Sequence, residues 1–179
     1  YTGWYTLSLH DALPILNTLR SKGYKVFIPV IYGNHDYDAD FYLGVVLETL
    51  YKTDQSIVVD NELVARKYCR YGNNMFGFGH GDLEKGKVSM LPLIMATEKA
   101  DMWATTKYRT FYLGDIHHKE EFKFLKLKDF PGCTVSFLRS VSVTDKWHSD
   151  NMFIEIPKTL EIHVYNYDGG NVCNLLYNL

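Results

Sequence analysis

Val26-Phe27-Ile28-Pro29-Val30-Ile31-Tyr32-Gly33-Asn34-His35-Asp36 is an apolar run that stops at a glycine followed by an amide, an imidazole and a carboxylate. A strand ending this way delivers those three groups to one sharp turn at its C-terminal edge, where open α/β sheets place their ligands. Two later stretches repeat the grammar: Met75-Phe76-Gly77-Phe78-Gly79-His80-Gly81-Asp82 and Phe111-Tyr112-Leu113-Gly114-Asp115-Ile116-His117-His118. Three such strand ends, well separated along the chain, predict one metal site assembled in space.

Working outward from that first run, Leu16 to Lys22 reads as the end of a helix, with Gly23 supplying the left-handed residue that follows it. The strand Tyr24–Tyr32 comes next. Its Val and Ile content suits a parallel strand buried on both faces, while Pro29 lacks a ladder donor and argues for an edge or a bulge. From Asp40 to Lys52, Leu43, Val46, Leu47 and Leu50 recur at helical spacing, with Asp40 as N-cap. Ser56–Asp60 is a short buried strand, so the unit is strand, helix, strand.

Arg66–Tyr71 and Met75–Gly79, joined by the turn signal Gly72-Asn73-Asn74, predict a β-hairpin. Its alternating basic residues read first as a solvated face and second as a guide for a phosphodiester. Ser89–Ala104 predicts a helix with Leu91, Ile94, Met95, Glu98 and Met102 along one side and Pro92 in its first turn. Met90, Met95 and Met102 read as core filler. Phe111–Leu113, Glu121–Lys128 and Thr134–Leu138 are strand-like, and Ser140–Asn151 is a polar loop holding Trp147 and His148. These two read as loop structure before a stacking platform. The chain closes on a hairpin in which Leu160, Ile162 and Val164 alternate with Glu161, His163 and Tyr165 before Asp168-Gly169-Gly170. His163 reads as a solvated strand residue.

Composition is that of a globular protein: 46% hydrophobic and 22% charged, with a net charge of −2. Any nucleic-acid contact must then come from a local patch and not from the global field. No run of about 18 apolar residues is present to span a bilayer, so no membrane partner is expected. Cys69, Cys133 and Cys173 are odd in number and share no metal-type spacing, which suits thiols in a reducing compartment.

The order Gly-Asn-His-Asp, then His-Gly, then Gly-x-x-His resembles the later motifs of the calcineurin-like metallophosphoesterase superfamily, whose nuclease branch includes double-strand-break-repair exonucleases. The tail from Gly132, with Ser140-Val141-Ser142-Val143-Thr144-Asp145-Lys146-Trp147-His148, is similar to phage and gut-bacterial members. The likeness covers residues 16–179 and implies an α/β fold, a metallophosphoesterase-type sandwich missing its first β-α units. Asp-x-His and Gly-Asp, the superfamily's first two motifs, are nowhere upstream of Gly33. Residues 5–15, Tyr-Thr-Leu-Ser-Leu-His-Asp-Ala-Leu-Pro-Ile, are what translation of a widely used short-read sequencing adapter yields, and Tyr1–Trp4 fit its adjoining arm. Residues 1–15 are therefore set aside from fold reasoning, and His10-Asp11 is not recruited as a metal motif. Removing those 15 from 179 leaves 164 residues, enough for a single domain with a real core.

The resemblance implies that Asn34, His80 and Asp115 bind one divalent ion and His117 a second, with manganese first and iron or zinc next. His35 would face the scissile phosphate and protonate or stabilise the leaving oxygen, and Asp36 would fix its tautomer. The superfamily has Gly-His-x-His where this chain has Gly114-Asp115-Ile116-His117. A carboxylate can ligate manganese or iron, and one base change also converts a His codon to an Asp codon. His118 reads as a second-layer or exposed histidine. The implied activity is phosphoester hydrolysis of nucleic acid or a nucleotide phosphodiester, in the cytoplasm of a bacterium or phage-infected host. The 179 residues alone are expected to be inactive, for want of the first two motifs. The alternatives are a non-catalytic nucleic-acid- or protein-binding member of the fold, and an unrelated α/β domain whose histidines lie far apart.

Overall fold

The computed structural model describes residues 13–33, 37–114, 126–139 and 159–178. Its contacts divide the chain into two compact units, Tyr1–Val64 and Ala65–Leu179, where the length alone predicts one. The class is α/β.

In the first unit, helix α1 (13–21) ends at Gly23, whose φ of 77° is the left-handed turn expected there. Strands β1 (Val26–Pro29) and β2 (Ile57–Asp60) pair in parallel, and α2 (Tyr37–Tyr51) makes the crossover. β1 is shorter than the apolar run. Val26 and Val30 donate to Ser56 and Asp60 at 2.8 and 3.0 Å, so alternation turns Pro29, which has no N–H, toward the edge away from β2. β2 is the one partner of β1 among the described residues, which makes β1 an edge strand there. Its outward residue Phe27 is 37% exposed, so burial on both faces does not hold.

The apolar stripe of α2 also has a different phase from the expected one. Leu47 and Tyr51 are buried against Ile57, with Leu13, Leu16, Val26, Ile28, Leu43 and Val59 around them, whereas Val46 and Leu50 face outward. Asn61 explains the shift: its side chain lies where a Cβ on Gly44 would be, and its Nδ2 donates to the Phe41 carbonyl at 3.3 Å. The helix rolls to bring Gly44 inward. Asp40 is not the N-cap, because α2 starts at Tyr37; its carboxylate accepts instead from the Gly33 N–H at 2.8 Å.

The second unit is built on a five-stranded mixed sheet of order β3-β4-β5-β7-β6, from β3 (Arg66–Tyr71), β4 (Asn74–Gly79), β5 (Tyr108–Leu113), β6 (Lys126–Phe130) and β7 (Cys133–Phe137). β4, β5 and β7 run parallel and form its centre; β3 and β6 flank them antiparallel. A 3-10 turn (Val88–Met90), α3 (Leu91–Glu98) and α4 (Ala100–Ala104) connect β4 to β5 and cover one face. The single helix expected over Ser89–Ala104 breaks at Lys99, whose φ and ψ of −136° and 58° are not helical. Beneath it, Leu91, Met95, Met75, Phe111, Leu113, Cys133 and Val135 form the core, with Met102 and Trp103 packed on them. Each such buried side chain contributes roughly 1.5–3 kcal/mol. Met90 lies outside this core and is exposed.

The opposite face of the sheet carries the terminal hairpin, β8 (Thr159–Asn166) and β9 (Gly170–Asn178). Phe76 packs edge-on against Tyr165 with ring centroids 4.6 Å apart, and Tyr112 lies 5.1 Å from the His163 ring. The turn docks as well: Asn74 Nδ2 donates to the carbonyls of Asn166 and Tyr167 at 2.8 and 3.2 Å. This hairpin is amphipathic in the reverse sense. Glu161, His163 and Tyr165 face the sheet, while Leu160, Ile162, Val164 and Leu175 face outward. His163 is thus not a solvated residue.

Candidate functional site

Of the expected metal and catalytic residues, His80 lies among those described. Asn34, His35, Asp36, Asp115 and His117 lie outside them, as do His118, Trp147 and His148. Among the described residues no group of three or more His, Cys, Asp or Glu is placed to hold a metal.

The local frame of His80 follows from the sheet. In register, Gly79 stands beside Leu113 and Leu113 beside Phe137, so the parallel strands β4, β5 and β7 end on one row. The ladder continues one residue further on both sides: Gly114 N–H donates to the His80 carbonyl at 2.9 Å, and Leu138 N–H to the Leu113 carbonyl at 2.7 Å. The structure therefore brings together two of the three Gly/His strand ends, those at His80 and Gly114, and the chain passes from Gly114 directly to Asp115. In the first unit, the residues before Asn34 are also tied down. Tyr32 Oη sits 2.6 and 2.7 Å from the Asn61 carbonyl and amide oxygens, beside the Gly33–Asp40 bond already described.

The glycines preceding His80 serve packing. The Phe111 ring lies over Gly77, where a Cβ would overlap it, and over Gly79, where a Cβ would meet it at 3.2 Å. Gly81 has a φ of 119°, a conformation that L side chains resist, and it turns the chain immediately after His80.

Sequence reasoning missed the polar cluster beside this turn. Arg66 directs Nε and Nη2 at the Glu98 carboxylate, with Nη2 to Oε1 at 2.6 Å, and Nη1 at Glu84 Oε1 at 3.1 Å. Tyr68 Oη donates to Glu98 Oε2 at 2.6 Å. The Arg66 hydrogen bonds, helped by that from Tyr68, hold the Glu98 carboxyl below its usual range, and burial pushes the Tyr68 phenol up. Of the basic residues of β3, Arg66 is paired and Lys67 is 2% exposed, while Arg70 is exposed, so the solvated-face reading holds for Arg70 and not for the other two. Alternation did signal that Arg66, Tyr68 and Arg70 share a face; what they meet there, Glu84 and Glu98 for the first two and Thr105 for Arg70, lies far along the chain.

On the hairpin side, Tyr165 donates to Thr110 Oγ1 at 3.1 Å and sits 2.6 Å from Tyr112 Oη. Burial, then the Tyr165 hydrogen bond, raises the Tyr112 phenol far above its ordinary value. His163 bridges Asn174 Oδ1 and Glu161 Oε2 at 2.7 and 3.1 Å. The three thiols are unpaired as disulfides, and burial pushes Cys69 up to about 11 and Cys133 up to about 12.

The donor types expected at the sheet edge are carboxamide oxygen, imidazole nitrogen and carboxylate oxygen, and the one described among them, His80, stands at that edge beside the residue preceding Asp115. This donor chemistry fits a first-row divalent ion. Comparison of the chain with protein-family models, with curated proteins and with solved structures finds no match.

Proposed function

We propose that the chain carries part of a metal-dependent phosphoester hydrolase, a phosphodiesterase or nuclease of the metallophosphoesterase type, with its catalytic edge at the C-terminal ends of the Gly/His strands. The observation that carries the reading is the 2.9 Å bond from the Gly114 amide to the His80 carbonyl, which joins two motif-bearing strand ends that are 34 positions apart. It sets the strand end that carries His80 beside the residue preceding Asp115.

In this reading Asn34, His80 and Asp115 would hold one divalent ion and His117 would contribute to a second. When bound, such a pair lowers the pKa of water and neutralises charge on the phosphoryl oxygens. His35 would stabilise or protonate the leaving oxygen, and Asp36 would fix the tautomer of its imidazole. Asp115, a hard oxygen donor where the superfamily has an imidazole, tilts the preference toward manganese.

Mn2+ binding to the full chain, followed by calorimetry, tests this. Saturable binding is expected, weakened at least tenfold in His80→Asn and in His117→Asn. With bis-p-nitrophenyl phosphate and Mn2+, the 179-residue chain should give background turnover only, since its sequence lacks Asp-x-His and Gly-Asp upstream of Gly33. Absence of saturable binding, or binding indifferent to both substitutions, overturns the hydrolase reading and favours a non-catalytic binding member. Robust turnover overturns the expectation that both motifs are required.

A further inference from the structure

We propose that Arg66 is a positioning residue for His80, acting through Glu84; the inference rests on the metal-binding reading of His80 given above. In the β3–β4 ladder Arg66 stands opposite Gly79, the residue before His80. Its guanidinium then reaches beyond the turn, where Nη1 donates to Oε1 of Glu84 at 3.1 Å. One residue thus fastens the chain on both sides of His80, by backbone pairing before it and by side chain after it. Glu84 is 3% exposed although it belongs to a polar loop. Burying a carboxylate without a paired cation is strongly unfavourable, so Arg66 offsets the cost of folding this loop inward. The Gly81 bend and the Gly114 bond to the His80 carbonyl complete the frame.

The same guanidinium has a second arm, and the two arms have separable roles. Nε and Nη2 engage Glu98 at the end of α3, which pins the helix layer to β3. Nη1 engages Glu84, which pins the turn that presents His80. Groups that hold a metal-binding imidazole in place influence affinity without touching the ion, and their loss typically costs about 10–100-fold.

The experiment is an Mn2+ titration of the full chain with the His80 imidazole signals followed by NMR, assigned by their loss in His80→Asn. In the wild-type chain these signals broaden as Mn2+ is added. In Glu84→Gln and in Arg66→Gln the same broadening should require at least tenfold more Mn2+. Glu98→Gln, which cuts the other arm, should lower the melting temperature yet leave the His80 response within twofold. If Glu84→Gln does not fold, Glu84→Asp, which withdraws the carboxylate by one methylene, takes its place with the same expected direction. A wild-type response retained in the Glu84 variant overturns the positioning role and leaves the metal reading standing. Equal weakening by Glu98→Gln and Glu84→Gln also overturns it, because the two arms would then act as one structural unit. No His80 response in the wild-type chain overturns both the metal reading and this inference.

Discussion

The amide of Gly114 donates to the carbonyl of His80 at 2.9 Å, one residue past the last rung of the β4–β5 ladder. Replacing the donor tests how much that rung contributes. Gly114→Pro removes the N–H outright and should destabilise the chain by about 1–2 kcal/mol in urea denaturation, the range for a lost hydrogen bond with its acceptor left wanting. Gly114→Ala keeps the donor, and its Cβ would meet the His80 carbonyl at 3.5 Å, an ordinary contact. It should fall within about 0.5 kcal/mol of wild type. Equal stability of the two variants would show that the rung is not formed in solution.

A second prediction concerns the glycines of β4. A Cβ on Gly77 would overlap the Phe111 ring, while one on Gly79 would sit 3.2 Å from it. Phe111 is fully buried in the core and has nowhere to retreat. Gly77→Ala should therefore cost about 1–3 kcal/mol, as overpacking of a filled core does, and Gly79→Ala distinctly less. Gly77→Ala with Phe111→Leu should recover part of the loss, a coupling that a double-mutant cycle would read directly.

Those two glycines also show what was legible in the sequence. Strands β3, β4, β5 and β7 and the β3–β4 and β8–β9 hairpins were readable from local patterns: alternation in β3 and β8, the Gly72-Asn73 and Asp168-Gly169-Gly170 turns, and apolar runs ending at Gly79 and Gly114; β6 lies at Lys126–Phe130 where a strand was expected over Glu121–Lys128, and its hairpin with β7 was not read. The reason for Gly77 and Gly79 was not, because Phe111 lies more than thirty positions away and only strand pairing brings it there. The phase of α2 failed for the same cause. Leu43, Val46, Leu47 and Leu50 form a good stripe in isolation, but Asn61 packs onto Gly44 and rotates the helix so that Tyr51 is buried and Leu50 is not. The hairpin of β8 and β9 inverted the usual rule. His163 was read as solvent-facing, yet Tyr112 and Thr110 supply hydrogen-bonding partners for Tyr165 on the sheet that make the polar side the inner one. At the candidate site, the motifs predicted that Asn34, His80 and His117 converge; of these His80 lies among the described residues, and its strand ends beside Gly114. The Arg66 cluster had no comparable signature, since an arginine in an alternating strand looks the same whether it meets water or two carboxylates.

That cluster sets the response of the fold to acid. The Arg66 hydrogen bonds, followed by the one from Tyr68, hold the Glu98 carboxyl below its ordinary value of 4.5. A carboxyl depressed in the folded state binds its proton more tightly in the unfolded chain, so it favours folding above the unfolded value and loses that contribution as pH falls through the folded one. Stability should accordingly decline below about pH 4.5. Glu98→Gln should flatten this part of the acid limb while lowering stability at neutral pH by about 1 kcal/mol, a figure kept small because the pair is partly open to solvent. For a chain of this size that corresponds to a fall of about 2–4 °C in melting temperature. Arg66→Gln should flatten the same limb and cost more, because it also strands Glu84, which is 3% exposed. Melting curves from pH 3 to 7 on the three proteins check the sign, and an unchanged acid limb in Glu98→Gln would place the depressed carboxyl elsewhere in the fold.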